Sequence, residues 1–94
     1  MTLKVIDISS HQSVEQAGMD GIDGVIVKAT QDVTYINPKC DPQYQLAKSK
    51  GRLLGVYHYA GGGDPVAEAD FFLKNIKGYI HEAVLALDWE AGQN

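Results

Sequence analysis

Four short apolar runs alternate with helical patterns along this chain, and that alternation restricts its fold more than any other feature. The runs cover residues 3–7, 24–30, 53–60 and 83–90, and the second of them is rich in β-branched residues. Alternation of strands with helical segments is typical of right-handed βαβ units and a parallel sheet. Because the runs are almost continuously apolar, both faces of that sheet should be covered. We therefore predict an α/β fold built from parallel β/α units.

Two proline-containing segments predict the main helices. We expect the first to begin after Asp41, because Pro42 fits a first helical turn, and to end at Gly51, a suitable left-handed cap. Asp64 and Pro65 predict the start of the second helix. Apolar residues then recur at spacings of three and four, which predicts the buried stripe of an amphipathic helix. These residues are Val66, Ala69, Leu73, Ile76 and Ile80.

Composition excludes several classes of function. The net charge is −4, and the eight Lys and Arg residues form no cluster, so neither nucleic acid nor an anionic membrane is an expected partner. Lys4 and Asp7 interrupt the apolar core that a signal peptide requires, so we expect a product made in the cytoplasm without a signal peptide. Cys40 is the only cysteine, which excludes an intrachain disulfide, and nothing near it in sequence predicts reactivity.

Polar residues stand at the carboxyl end of every predicted strand, where parallel α/β folds place their active sites. They are Asp7, Lys28, Thr30, Tyr57, Tyr59, Asp88 and Glu90. The recurrence over four strands predicts a site at this edge. Since an interior lysine needs an anionic partner, Lys28 also predicts a neighbouring carboxylate.

The most specific pattern is Asp88-Trp89-Glu90. Residues two apart on a strand point to the same face, with Cα atoms ~6.5 Å apart. Two neighbouring carboxylates repel each other, and partial desolvation raises the pKa of at least one of them. One carboxyl group can then stay protonated near neutral pH while the other is charged, as cleavage of a glycosidic bond requires.

Each of these residues also has a plainer structural interpretation. The two carboxylates could simply end a strand in water, and Asp7 could cap the turn that follows it. Tyr57 and Tyr59 could be packing residues. His58 is more readily explained as a hydrogen-bonded core histidine than as a base or a metal ligand.

Four segments together resemble glycoside hydrolase family 25. They are DISSHQ at 7–12, GVIVKATQ at 24–31, GVYHYA at 55–60 and LALDWE at 85–90, in the order and spacing of that family. The resemblance implies a peptidoglycan muramidase, as in phage endolysins, that needs no metal or organic cofactor. It also implies a flattened, incomplete TIM-like β/α barrel, of which residues 1–94 are the N-terminal half, with the C-terminal half absent.

The resemblance also implies roles for individual residues. Glu90 would be the general acid/base, and Asp88 would orient the substrate N-acetyl group or stabilise an oxazolinium-like intermediate. Asp7 would be a third acidic residue of the site, and Tyr57 would contact sugar.

We further expect Tyr59 and Lys28 to bind substrate, namely the glycan strands of peptidoglycan, after release of the protein to the bacterial cell wall. A half domain leaves the edge of its last strand open. We therefore expect self-association or a complementary C-terminal chain.

Three alternatives stay open at this point. Chitinase-like barrels also carry a DxE pattern at the end of their fourth strand. The chain could be a non-catalytic fragment that binds glycan or a partner. A metal hydrolase using Asp7, His58 and Asp88 is less favoured, because no HxH or HExxH spacing is present.

Overall fold

The computed structural model describes residues 3–88, in which five strands alternate with two α-helices. The elements are β1 (Val5–Ile8), β2 (Gly24–Gln31), β3 (Tyr35–Ile36), α1 (Cys40–Ser49), β4 (Leu53–Tyr59), α2 (Pro65–Asn75) and β5 (Val84–Asp88). Short 3₁₀ helices cover Val14–Gly18 and Lys77–Tyr79. The last two residues of the fourth predicted strand, Trp89 and Glu90, lie outside the described residues.

The main sheet has the order β1-β2-β4-β5, and each neighbouring pair is parallel. This confirms the predicted parallel β/α units. The two-residue strand β3, which the sequence pattern did not predict, pairs antiparallel with the end of β2. No helix within residues 3–88 has the length and apolar character needed to cross a bilayer.

Helix α1 begins at Cys40, slightly earlier than the predicted start after Asp41. The side chain of Asn37 accepts a hydrogen bond from the backbone N–H of Lys39 at 2.9 Å, so the chain is already turned before Asp41. Pro42 lies in the first helical turn as predicted. Gly51 follows the helix with a φ of 71°, which confirms its left-handed conformation.

Helix α2 starts where predicted, and the Asp64 side chain accepts a hydrogen bond from the N–H of Val66 at 3.0 Å. The predicted apolar stripe is wrong, however, because only Ile76 among its five residues is buried and Val66 is 67% exposed. The buried face of the helix instead carries Glu68 and Phe72, and it continues to Ile76 just after the helix. An apolar pattern could not find this face, since one of its positions is a charged residue.

Candidate active site

A polar cleft of about 440 Å³ opens at the carboxyl ends of the parallel strands. It is lined by Asp7, Ser9, His11, Gln12, Lys28, Gln31, Tyr57, Tyr59 and Asp88. Five of these residues were predicted from the sequence, and they come from four different strands. The sixth predicted site residue, Glu90, lies outside the described residues, two positions beyond Asp88.

The strand register explains why these side chains meet. Lys28 lies opposite Tyr57 on β4, and Tyr59 lies opposite Asp88 on β5. Alternation along a strand then places Tyr57 and Tyr59 on one face, over the cleft. Four parallel strands therefore deliver a lysine, two tyrosines and two carboxylates to one opening.

Lys28 is half-buried within the cleft, where two aromatic rings lie near its ammonium group. The Nζ atom lies 4.8 Å from the centroid of the Tyr59 ring and 5.2 Å from that of Tyr35, and it donates a hydrogen bond to the side-chain oxygen of Gln31. Burial lowers the pKa of Lys28, while the charge of Asp88 acts in the opposite direction. The predicted anionic neighbour of this lysine is thus Asp88.

Thr30 is the one predicted strand-end residue that does not reach the cleft. The pairing of β2 with β4 shifts register between Lys28 and Thr30, so that Thr30 faces His58 rather than the next cleft residue. Its side chain is fully buried. One additional residue in β2 has the effect of a β-bulge, and Gln31 takes the place in the cleft that was predicted for Thr30.

The turn after β1 supplies three cleft residues that were not predicted individually, Ser9, His11 and Gln12. The backbone N–H of Ser9 donates to Gln12 Oε1 at 2.7 Å, and Gln43 of α1 donates from Nε2 to the Ser9 carbonyl at 2.8 Å. The turn is therefore fixed to a buried residue of α1. Gln43 is 34 residues from Ser9, and no local pattern identifies that pairing.

Asp7 is exposed at the cleft and makes no hydrogen bond through its side chain to the described part of the chain. The turn that follows is stabilised by the side chains of Ser9 and Gln12 instead. Its interpretation as a turn cap is therefore wrong. The Asp7 carboxylate is available to a ligand in the cleft.

His58 is buried on the opposite face of the sheet from the cleft. Its Nδ1 lies 2.8 Å from Thr30 Oγ1, and its Nε2 lies 2.7 Å from Glu68 Oε1. The interpretation of His58 as a hydrogen-bonded core histidine is confirmed. A metal site that combines it with Asp7 and Asp88 is excluded, because those two residues line the cleft on the other face.

The described residues hold neither a grouped set of metal ligands nor a reactive cysteine. Within residues 3–88, no three His, Cys, Asp or Glu side chains are grouped so as to hold a metal ion. Cys40 is buried, and burial raises the pKa of its thiol to about 11. A thiol with this pKa stays protonated at neutral pH, which confirms the expectation of an unreactive cysteine.

Comparison with known proteins gives one family and several related enzymes. The model of the glycosyl hydrolases family 25 matches residues 6–94. An autolytic lysozyme of Clostridium acetobutylicum is 36% identical over 91 residues, which are 94% of this chain and 28% of that protein.

Two solved structures show the same arrangement of strands and helices. The muramidase from Trichobolus zukalii has a TM-score of 0.72 and 39% identity, over 79% of this chain and 38% of that one. The modular Cpl-1 endolysin, solved with a peptidoglycan analogue, has a TM-score of 0.68 and 30% identity, over 96% of this chain and 29% of that one. The predicted α/β fold, part of a flattened TIM-like barrel, is confirmed. The chain spans well under half the length of these relatives.

Proposed function

The chain belongs to the glycosyl hydrolases family 25, and from that premise we propose that it acts as a peptidoglycan muramidase. The bond hydrolysed is the one between N-acetylmuramic acid and N-acetylglucosamine. The observation that carries this proposal is the polar cleft, in which Asp7, Lys28, Tyr57, Tyr59 and Asp88 converge from four strands. The substrate places the action of the protein at the bacterial cell wall, after release from the cytoplasm.

Carboxylates supply the chemistry in this proposal. Glu90 protonates the glycosidic oxygen as the bond to the muramic acid C1 breaks, and so acts as the general acid. Asp88 accepts a hydrogen bond from the substrate N-acetyl N–H and thereby orients that group toward C1, or stabilises the oxazolinium-like ion that forms when the acetyl oxygen bonds to C1. Water then adds to C1 and breaks the bond to the acetyl oxygen, while Glu90 accepts the proton of that water as the general base. Asp7, exposed at the opposite side of the cleft, adds negative charge near the positive charge that develops on the sugar.

Lys28 and the two tyrosines bind the substrate. Aromatic rings offer flat apolar faces to sugar rings, and both tyrosines are only half-buried at the cleft. Lys28 is held between the rings of Tyr35 and Tyr59, where its ammonium group can bind a substrate carboxylate or hydroxyl group. In peptidoglycan the lactyl carboxyl group of muramic acid is joined to a peptide, and that peptide carries free carboxylates, which chitin lacks. The lysine therefore favours peptidoglycan over chitin as the substrate.

The test is hydrolysis of purified peptidoglycan compared with chitin oligomers of similar length. We expect new reducing ends from peptidoglycan. Reduction with borohydride followed by mass spectrometry should identify them as muramic acid, because cleavage of its glycosidic bond leaves that sugar at the new end. New ends formed by N-acetylglucosamine, or faster cleavage of chitin, would contradict the assignment and favour the chitinase-like alternative.

A second candidate function is non-catalytic binding of glycan or of a partner chain. The observation favouring it is the edge strand β5, which pairs only with β4 among the described residues and leaves Val84 70% and Leu87 68% exposed. Next to it, an apolar cleft of about 480 Å³ runs between α2 and β5. We propose that this surface associates with a second polypeptide, which is another copy of this chain or a polypeptide with the sequence of the C-terminal part of a family 25 domain.

The two candidates differ in a reconstitution assay. The chain is mixed with a separately produced polypeptide that carries the C-terminal half of a family 25 catalytic domain. Turnover by the chain alone supports the muramidase, whereas turnover only in the mixture supports a split enzyme. Glycan binding without turnover in either case would leave only the binding function.

A further inference from the structure

A buried carboxylate on α2 organises the loop that follows β4. Glu68 is only 5% exposed. Its Oε1 accepts hydrogen bonds from the N–H of Gly61 at 2.9 Å and from His58 Nε2 at 2.7 Å, and its Oε2 accepts one from the N–H of Gly63 at 3.0 Å. Because an ionised carboxylate can only accept hydrogen bonds, His58 Nε2 must carry a proton.

The same loop is tied to the candidate active site through its backbone. The carbonyl of Tyr59 accepts a hydrogen bond from the N–H of Asp32 at 3.3 Å, and the N–H of Ala60 donates to the carbonyl of Asp88 at 2.9 Å. The N–H of Gly61 donates to Glu68. Three consecutive residues are therefore held in turn by Asp32, which follows β2, by Asp88 and by Glu68.

Burial of the Glu68 carboxylate costs free energy, and an apolar residue at this position would avoid that cost. Burying a carboxylate is unfavourable unless hydrogen bonds replace its hydration, and a well-packed apolar residue often stabilises a fold equally well. Here the hydrogen bonds of Glu68 reach one side chain and two backbone groups, all of them in β4 or the loop that follows it. The carboxylate thus fixes the segment that is hydrogen-bonded to Asp88.

We propose that Glu68 is a positioning residue for the cleft: by holding the N–H groups of Gly61 and Gly63, it fixes the Ala60–Asp88 hydrogen bond and with it the placement of Tyr59 and Asp88. This role rests on the proposed muramidase activity, but the placement itself is a property of the fold. Glu68 lies on the far side of the sheet from the cleft and touches no substrate.

The experiment measures amide hydrogen exchange by NMR together with turnover of peptidoglycan, in the wild-type chain and in Glu68→Gln. Glutamine keeps the shape of the side chain, but its amide nitrogen cannot accept a hydrogen bond. We expect exchange at Gly61 and Gly63 to accelerate about tenfold or more, since hydrogen bonds to charged groups are the strong ones. Exchange at Ala60 should accelerate by a smaller factor, and kcat should fall more than KM rises.

Two controls separate positioning from loss of stability. Asp70→Asn makes the same change of charge on the same helix at an exposed position, and it should leave exchange and turnover as in the wild type. Ile76→Val removes a buried methyl group at the residue that follows α2, and it lowers Tm without changing any residue of the loop. After correction for the change in Tm, Ala60 exchange in Glu68→Gln must exceed that in Ile76→Val; equal values would overturn the proposal.

The remaining outcomes are also decisive. If the wild-type chain shows no turnover in any assay, the proposed function fails, while the exchange pattern at Ala60 still decides the positioning role. If Glu68→Gln does not fold, Glu68→Asp takes its place, because the shorter carboxylate cannot reach both glycines. Unchanged exchange at Gly61 and Gly63 in that variant would also refute the proposal.

Discussion

The ammonium group of Lys28 lies 4.8 Å from the centroid of the Tyr59 ring, and both residues line the cleft at the carboxyl ends of the parallel strands. A cation near an aromatic face is attracted to the ring, most strongly where water is partly excluded. Burial lowers the pKa of Lys28, so the charge carries a desolvation cost in the free protein. A cationic side chain held at such a cost is expected to serve ligand binding.

Replacing Lys28 with methionine should therefore weaken substrate binding without harming the fold. We expect the Kd for soluble peptidoglycan fragments to rise about tenfold, the size of one charge-assisted hydrogen bond. The Tm should stay the same or rise, because methionine brings no desolvated charge. Isothermal titration calorimetry and thermal unfolding measure both quantities. Lys74→Met makes the same charge change at an exposed position on α2, and an equal loss of affinity there would refute a specific role for Lys28.

Substitutions at the two carboxylates should separate catalysis from binding. Glu90→Gln should lower muramidase turnover by about 10²–10⁴-fold with the fold intact, since general acid catalysis is worth that much. Asp88→Asn should also lower turnover greatly while glycan binding is largely retained. Release of reducing ends and glycan affinity are measured on the same preparations. Near-wild-type turnover by Glu90→Gln, in a preparation whose wild type is active, would show that the acid/base lies elsewhere.

Low pH should destabilise the fold, in part because the Glu68 carboxylate becomes protonated. Hydrogen bonds from Gly61, His58 and Gly63 hold the pKa of Glu68 below its ordinary value of 4.5. A carboxylate whose pKa is lowered by folding stabilises the protein fully above its unfolded-state pKa. That contribution is lost as the pH falls through the folded-state value.

Thermal unfolding between about pH 7 and pH 3 tests this expectation, since carboxylates titrate within that range. Glu68→Gln should have a lower Tm than the wild type at neutral pH, and the difference should shrink as the solution becomes more acidic. The Tm of Asp70→Asn should change with pH in the same way as the Tm of the wild type. A difference between Glu68→Gln and the wild type that is independent of pH would contradict the ionised state of Glu68.

The open edge of β5 should make the chain associate. Val84 and Leu87 expose large apolar side chains on a strand that has no second neighbour within residues 3–88, and such edges pair readily with other strands. Light scattering at micromolar concentration should show a species larger than the monomer, and Leu87→Lys should shift it toward the monomer. A wild-type monomer that unfolds cooperatively would refute this prediction and show that the sheet closes its own core.

The sequence by itself determined the secondary-structure elements and most of the residues that line the cleft, because both depend on local chemistry. Short apolar runs form the strands, Asp64 caps the helix that Pro65 begins, and Gly51 adopts a positive φ that glycine accepts at little cost. Because parallel strands place their carboxyl ends at one edge, polar residues at the ends of four runs meet in space. That rule is sufficient to bring Asp7 and Asp88 to the same opening.

Only the tertiary structure decided which side chains face the cleft and which face of α2 is buried. The register shift after Lys28 arises from the pairing of β2 with β4, and it turns Thr30 away and places Gln31 in the cleft. Glu68 can be buried because His58, Gly61 and Gly63 supply hydrogen bonds to its carboxylate. Those partners lie on a different element or in a loop, so no periodicity within α2 reveals them. Hydropathy describes what a side chain prefers in water, whereas its burial depends on the hydrogen bonds that the folded chain provides.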